Sequence, residues 1–155
     1  MKVLSDTVER RLADVGLLSI RVMLGGVFMF HGAQKLFAWF GGPGIDGFAG
    51  FLESQGVPLP TLNAYMAGGT EFFGGLLILL GVMTRLAGIP VAFTMFVAAF
   101  MVHGSAFSAQ NNGMEYPLTL AVVTTGIVLT GPGRLSLCHA FERLCVKQSP
   151  VSTDP

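Results

Sequence analysis

Long apolar runs fill this chain and leave few ways to fold it. Leu17 to about Trp39, about Ala64 to Met83, Leu86 to Phe107 and Tyr116 to Thr130 are crowded with Leu, Phe, Val and Gly and nearly free of charge. About 20 apolar residues cross a ~30 Å hydrocarbon core as a helix, and the first three runs reach that length. The fourth ends early, at Gly131-Pro132-Gly133. Its span must begin near Met114, continue through a kink at Pro132, or thin the bilayer locally. Only 12% of the 155 residues are charged, against about 25% in soluble domains, so four such runs could not be covered in water. A soluble enzyme, a nucleic-acid binder and a disordered segment are excluded. The expected partner of this surface is a lipid bilayer.

The loops set the orientation. Lys2, Arg10 and Arg11 precede the first run, Arg85 separates the second and third, and Arg134, Arg143 and Lys147 follow the fourth. Residues 40–62 and 108–115 hold no Lys or Arg, only Asp46, Glu53 and Glu115. Cytoplasmic loops retain Lys and Arg, so both termini are expected in the cytoplasm. The predicted architecture is an all-α integral membrane four-helix bundle, N-in and C-in, with spans at about 17–39, 64–83, 86–107 and 114–131. Residues 1–15 form a cytoplasmic amphipathic segment, 16–137 the transmembrane domain and 138–155 a cytoplasmic tail. Lys2, Asp6, Glu9, Arg10, Arg11 and Asp14 do not fit a cleavable signal. Ser5 or Asp6 instead caps a short helix, with Glu9 placed as in a capping box.

Three smaller features complete this organisation. In the first outer loop, Asp46-Gly-Phe-Ala-Gly-Phe-Leu-Glu53 reads as a short interfacial helix with Phe48, Phe51 and Leu52 on one face, either a surface cap or a lid over a ligand. Cys138 and Cys145 are seven residues apart, which on a helix separates their Cα atoms by ~10.5 Å, too far for a disulfide. A faint repeat pairs Phe28-Met-Phe-His-Gly32 with Phe100-Met-Val-His-Gly104, and Leu79-to-Leu86 with Leu129-to-Leu135.

Ionisable residues within spans are rare and usually face the interior. Arg21 lies about one turn from the inner boundary and is expected to snorkel to headgroups. Counting along each helix puts His31 ~9 Å, Glu71 ~12 Å, His103 ~5 Å and Lys35 ~3 Å below the outer boundary. His31 and Lys35 are four apart and share a face. Ala67, Glu71 and Gly75 share another, whose small residues let a helix approach closely. The group is either a buried ion pair fixing helix register or a polar pocket opening outwards. Two histidines and a carboxylate also match a two-His-one-carboxylate metal set, but no single-helix spacing supports it and no metal is expected.

His31-Gly-Ala-Gln-Lys-Leu36, the Glu71-to-Leu86 run, Asn112-Gly-Met-Glu-Tyr-Pro117 and Gly131-Pro-Gly-Arg-Leu-Ser136 resemble the DoxX family of small bacterial inner-membrane four-helix proteins. The resemblance covers roughly residues 14–140, and all four motifs occur in order. It implies a multi-pass protein of the bacterial plasma membrane linked to oxidoreduction, since relatives include small subunits of thiosulfate:quinone oxidoreductase. His31, Lys35, Glu71, Asn112, Glu115 and Tyr116 match the family's polar positions, while Cys138 stands where members often carry an acidic residue.

The chain has no c-type haem motif, no cysteine set for an iron–sulfur cluster and no dinucleotide glycine fingerprint. Complete oxidase chemistry by this chain alone is therefore not expected, and what the resemblance implies is a quinone-linked oxidoreductase subunit requiring redox protein partners. In that reading Glu71, His31 and Lys35 are the catalytic group, with His103, Glu115, Tyr116 and Asn112 binding the substrate. The alternative is a small-molecule transporter or a scaffold anchoring soluble redox partners, and a homodimer is compatible with either.

Overall fold

The computed structural model describes residues 5–147; Lys2, residues 148–155 and the side chains of Cys145 and Lys147 lie outside the described residues. All regular structure among the described residues is helical. The first helix, α1 (Asp6–Phe37), runs for 32 residues, about 48 Å. The amphipathic N-terminal segment is therefore not a separate short helix but the first turns of α1. Ser5 stands at the N-cap, where its carbonyl oxygen accepts the Val8 and Glu9 N–H groups at 2.9 and 3.1 Å. Its side chain makes no capping bond.

Ala38, with φ of 54°, ends α1 and turns the chain into α2 (Gly44–Ser54). This is the expected loop helix, and it does more than lie on a surface. It packs against α1 and the next helix, α3 (Pro60–Leu80). Ala49, Leu52 and Ala64 form a small core there, with Ile45, Phe48 and Val57 around it. Phe51 stands beside Phe48 as expected, with ring centroids 6.3 Å apart, but at the exposed edge of that face. The helix α3 ends at Gly81, and the Val82 N–H donates back to the Leu77 carbonyl at 3.0 Å, a Schellman arrangement that needs positive φ.

Next, α4 (Thr84–Val97) continues as a π turn, Ala98–Val102. The helix thus stops short of Phe107, and residues 103–114 fold into a loop held by its own backbone. There the Met114 and Glu115 N–H groups donate to Ala106 and Phe107 carbonyls at 3.0 and 2.9 Å. After it, α5 (Glu115–Thr130) ends at Gly131, φ 82°, and does not continue through Pro132. Finally, α6 (Leu137–Lys147) carries both cysteine positions on one helix, the geometry in which they stand too far apart to bridge.

Two helical stretches, α1 and Thr84–Val102, are long and apolar enough to cross a membrane, and α5 is apolar but shorter. Side by side, α1 packs on α3, α3 on α4 and α4 on α5, with a lighter contact between α5 and α1. Leu24, Phe28, Ile78, Val91, Met95, Ala121 and Ile127 form the core between them. The α1–α3 contact is the closest. A Cβ added to Gly75 would stand 2.9 Å from the Gly25 carbonyl oxygen, and one on Gly32 would overlap the Phe72 backbone.

Arg21 does not snorkel. It is 1% exposed, and its guanidinium donates to four carbonyl oxygens. Nε reaches Ile78 and Nη2 reaches Leu79, each at 2.9 Å. Nη1 reaches Pro132 at 2.7 Å and Leu135 at 2.9 Å. Carbonyls at the end of α3 and in the turn after α5 hold the guanidinium inside, because they sit within its reach without an extension towards the headgroups.

Overpacking a tight helix contact costs about 1–3 kcal/mol, so Gly32→Ala should lower the unfolding midpoint in detergent. Gly26→Ala should not, because nothing lies within 4 Å of a Cβ at Gly26. Arg21→Lys, which keeps the charge and loses the planar fork, should also lower that midpoint, since several carbonyls lose their donors.

Candidate functional site

The α1–α3 contact brings two charged side chains together. Lys35, one turn beyond His31 on α1, pairs through Nζ with Oε1 of Glu71 on α3. Small residues create the room, since Gly68 and Gly75 are buried on the Glu71 side of α3. Lys35 retains 22% side-chain exposure, whereas Glu71 has 1%. From α2, the Phe48 ring lies 4.9 Å from Nζ, a cation–π contact that covers the lysine.

Glu71 borders a cavity of about 220 Å³ that takes polar side chains from every packed helix: His31 and Lys35 from α1, His103 from the end of the π turn, Tyr116 from α5. Phe28, Met95 and Leu120 supply apolar wall. One carboxylate oxygen, Oε2 of Glu71, is buried and has no hydrogen-bond partner. A buried acceptor left unmade costs about 1–3 kcal/mol, more when charged, so this oxygen is the most costly unsatisfied group around the cavity.

The rings around it are ordered. His31 meets Phe30 edge-on at 5.5 Å and Tyr116 at 6.3 Å between centroids. Phe30 in turn stacks on Phe40 at 4.9 Å. His103 Nδ1 stands 2.8 Å from the Asn112 carbonyl oxygen. A carbonyl can only accept, so Nδ1 carries the hydrogen, and Nε2 of the neutral ring is an acceptor. π turns recur at functional sites, and this one sets the position of His103.

Five of the seven residues singled out in the sequence, His31, Lys35, Glu71, His103 and Tyr116, therefore border one cavity. The other two do not. Asn112 contributes its backbone carbonyl to His103 while its side chain is exposed. Glu115 accepts the Ala109 N–H at 2.7 Å through Oε1, which fixes the loop instead of the cavity wall. The faint repeat has a structural meaning, because its two Phe-Met-x-His-Gly segments deliver His31 and His103 to the same space. Sequence reading missed Phe48 as the cover of Lys35. Its signal was the short apolar loop helix, whose packing partner no local pattern names. Among the described residues no group of three or more His, Cys, Asp or Glu is placed to hold a metal.

Comparison with known proteins agrees on the kind of molecule. A family model described as DoxX matches residues 16–104. "Putative oxidoreductase CatD" of Bacillus subtilis is 32% identical over 124 residues, which cover 80% of this chain and 85% of that protein. "Inner membrane protein YqjF" of Escherichia coli is 31% identical over 138 residues, 86% of this chain and 98% of that one. "Uncharacterized membrane protein Rv3486" of Mycobacterium tuberculosis is 29% identical over 138 residues, 81% of each chain. No solved structure gives a significant match.

Removing one member of a buried ion pair costs about 3–5 kcal/mol, whereas replacing both with apolar groups is often neutral. Lys35→Met should accordingly lower the unfolding midpoint in detergent, and Lys35→Met combined with Glu71→Leu should recover most of the loss.

Proposed function

The chain belongs to the DoxX family of bacterial membrane proteins, and we propose that it is an integral subunit of a quinone-linked oxidoreductase system in the bacterial inner membrane. In this reading α1, α3, α4 with its π turn, and α5 are the four spans of a bundle whose termini both lie in the cytoplasm. The transmembrane domain covers residues 16–137, flanked by cytoplasmic ends, and the cavity opens in its outer half.

The observation that carries the reading is the unpartnered Oε2 of Glu71 beside that cavity. Quinols donate two hydroxyl hydrogens and quinones offer two carbonyl acceptors, and the cavity offers groups for both. Glu71 Oε2 accepts a hydroxyl proton, with His31 as relay. The Tyr116 hydroxyl and the Lys35 ammonium donate towards a carbonyl, and Phe28 and Met95 give the ring an apolar wall. About 220 Å³ fits a single ring and not a whole prenylated quinone. A shallow apolar groove along α1, from Leu18 to Phe30, also ends at His31, so a lipid-soluble ligand has apolar surface leading to the polar cluster. Electrons leave to a redox protein partner. The Bacillus subtilis relative's printed name, an oxidoreductase, supports the same class.

The test is to purify the protein in mild detergent and identify what accompanies it by mass spectrometry and absorption. Stoichiometric quinone, lost in Glu71→Gln and in His31→Ala while both variants remain folded, is the expected result. Quinone-linked activity should fall with it. Proteoliposome uptake that depends on Glu71 without any change in quinone redox state would establish a transporter instead. Co-purification of a soluble redox enzyme unaffected by Glu71→Gln would establish a scaffold.

A further inference from the structure

At the end where α1 begins, far from the Glu71 cavity, two spaces meet at Arg134. One, of about 400 Å³, is lined by Asp6, Thr7, Arg10, Arg11 and Arg134. The other, of about 450 Å³, is walled mainly by leucines from three parts of the chain, among them Leu18, Leu79 and Leu135, with Ala140 of α6, the carbonyl-bound Arg21 and again Arg134. Three guanidinium groups thus face the first space against one carboxylate, and apolar side chains dominate the second.

Their relative height is set by α1. Arg10 and Leu18 are eight residues apart, about 12 Å along the helix axis. The leucine cleft therefore stands at the level where the apolar run begins, and the basic space lies one headgroup's depth outside it. Arg134 joins them because its own backbone N–H donates to Asp14 Oδ1 of α1 at 2.9 Å. That bond pins the turn after α5 onto α1 and leaves the Arg134 side chain exposed at the junction. Beside the cleft, α6 exposes Leu137 and Phe141, as a helix lying in a membrane interface does.

We propose that the two spaces, which share Arg134 as a wall, together form a site for a phospholipid with an anionic head group. The phosphate sits among Arg10, Arg11 and Arg134, whose planar forks match phosphate oxygens bidentately. Thr7, one turn from Arg10 and Arg11, adds a hydroxyl donor, and one acyl chain fills the leucine cleft. A free phosphate would use the same arginines but leave the cleft empty. A neutral or zwitterionic lipid would fill the cleft and lack the net charge that three arginines and one aspartate require. The site shares no residue with the Glu71 cavity and stands or falls independently of the quinone reading.

The experiment uses the full chain in a neutral maltoside detergent, with native mass spectrometry and thermal unfolding as readouts. Phosphatidylglycerol, phosphatidylcholine of matched acyl chains, and glycerol phosphate without chains are added in parallel. Retained phosphatidylglycerol and a raised unfolding midpoint, with neither effect from the other two, are the expected results. Both should be lost in the pair Arg11→Gln and Arg134→Gln. Those side chains are exposed, and the Arg134 bond to Asp14 is made by backbone, so these variants should keep the fold. Ala140→Trp, which fills the cleft, should abolish lipid retention with the arginines intact. Equal retention of both lipids, or retention unaffected by the arginine substitutions, overturns the proposal. Binding of glycerol phosphate as tight as that of the lipid replaces it with a free-anion site.

Discussion

One guanidinium holds the end of the molecule where α3 and α5 finish. The last carbonyls of any helix run short of intrahelical donors and carry its negative dipole end; at the end of α3, Ile78 accepts the Gly81 N–H at 3.1 Å and Leu79 stands one residue further out. Arg21 answers both from α1, then uses its remaining donors on Pro132 and Leu135 beyond α5. A buried charge in such a setting is costly unless fully paired, and here the pairing is with backbone. The end of α3, the turn after α5 and the register of α1 are therefore set by the same side chain. Gly81 must lack a Cβ beside it, since one would overlap the guanidinium.

Register fixed at Arg21 propagates along α1. The close approach at Gly25–Gly75 and Gly32–Phe72 keeps α1 and α3 in contact over the next three turns, and Lys35 then meets Glu71 about 21 Å from Arg21. A shift of one residue at either end would carry the polar partners about 100° around α1 and lose both cationic contacts together. His31 shares a face with Lys35, so it faces the cavity by the same register. The remaining groups come from the far side by other devices. The π turn and the Asn112 carbonyl place His103, while α5 begins at Glu115 and presents Tyr116 in its first turn.

This explains which parts were legible in the sequence. Helical periodicity and spacing found His31, Lys35 and the small-residue face of Glu71, because those relations are local to one helix. His103, grouped with them by position along its helix, borders the same cavity. What failed needed knowledge of partners. Arg21 was read as snorkelling because its carbonyl acceptors lie 57 to 114 residues away. Phe51 keeps its place beside Phe48 but lies at the exposed edge of that face, because the packed part is chosen by Ala64 and Val57, outside that helix. Asn112 and Glu115 were singled out by their match to the family's polar positions, and in the fold the Asn112 carbonyl meets His103 while Glu115 accepts the Ala109 N–H.

The contrast between the two buried charges bears on what the cavity is for. At Arg21 the fold supplies four acceptors from two distant segments, so it can bring backbone to a buried ion when structure requires it. At Glu71 it supplies one partner, Lys35, and leaves Oε2 bare although four polar side chains border the same space. A pair whose sole task was to fix helix register would gain from closing that gap, since each unmade bond to a charged group is expensive in a low dielectric. The uncompensated oxygen persists beside a void, two imidazoles and a phenol, the arrangement expected where a ligand's own hydrogen completes the shell. That argument leaves the ligand's name to chemistry and fixes only its character: small at the head, carrying a hydrogen-bond donor, and able to reach a site surrounded by apolar helices.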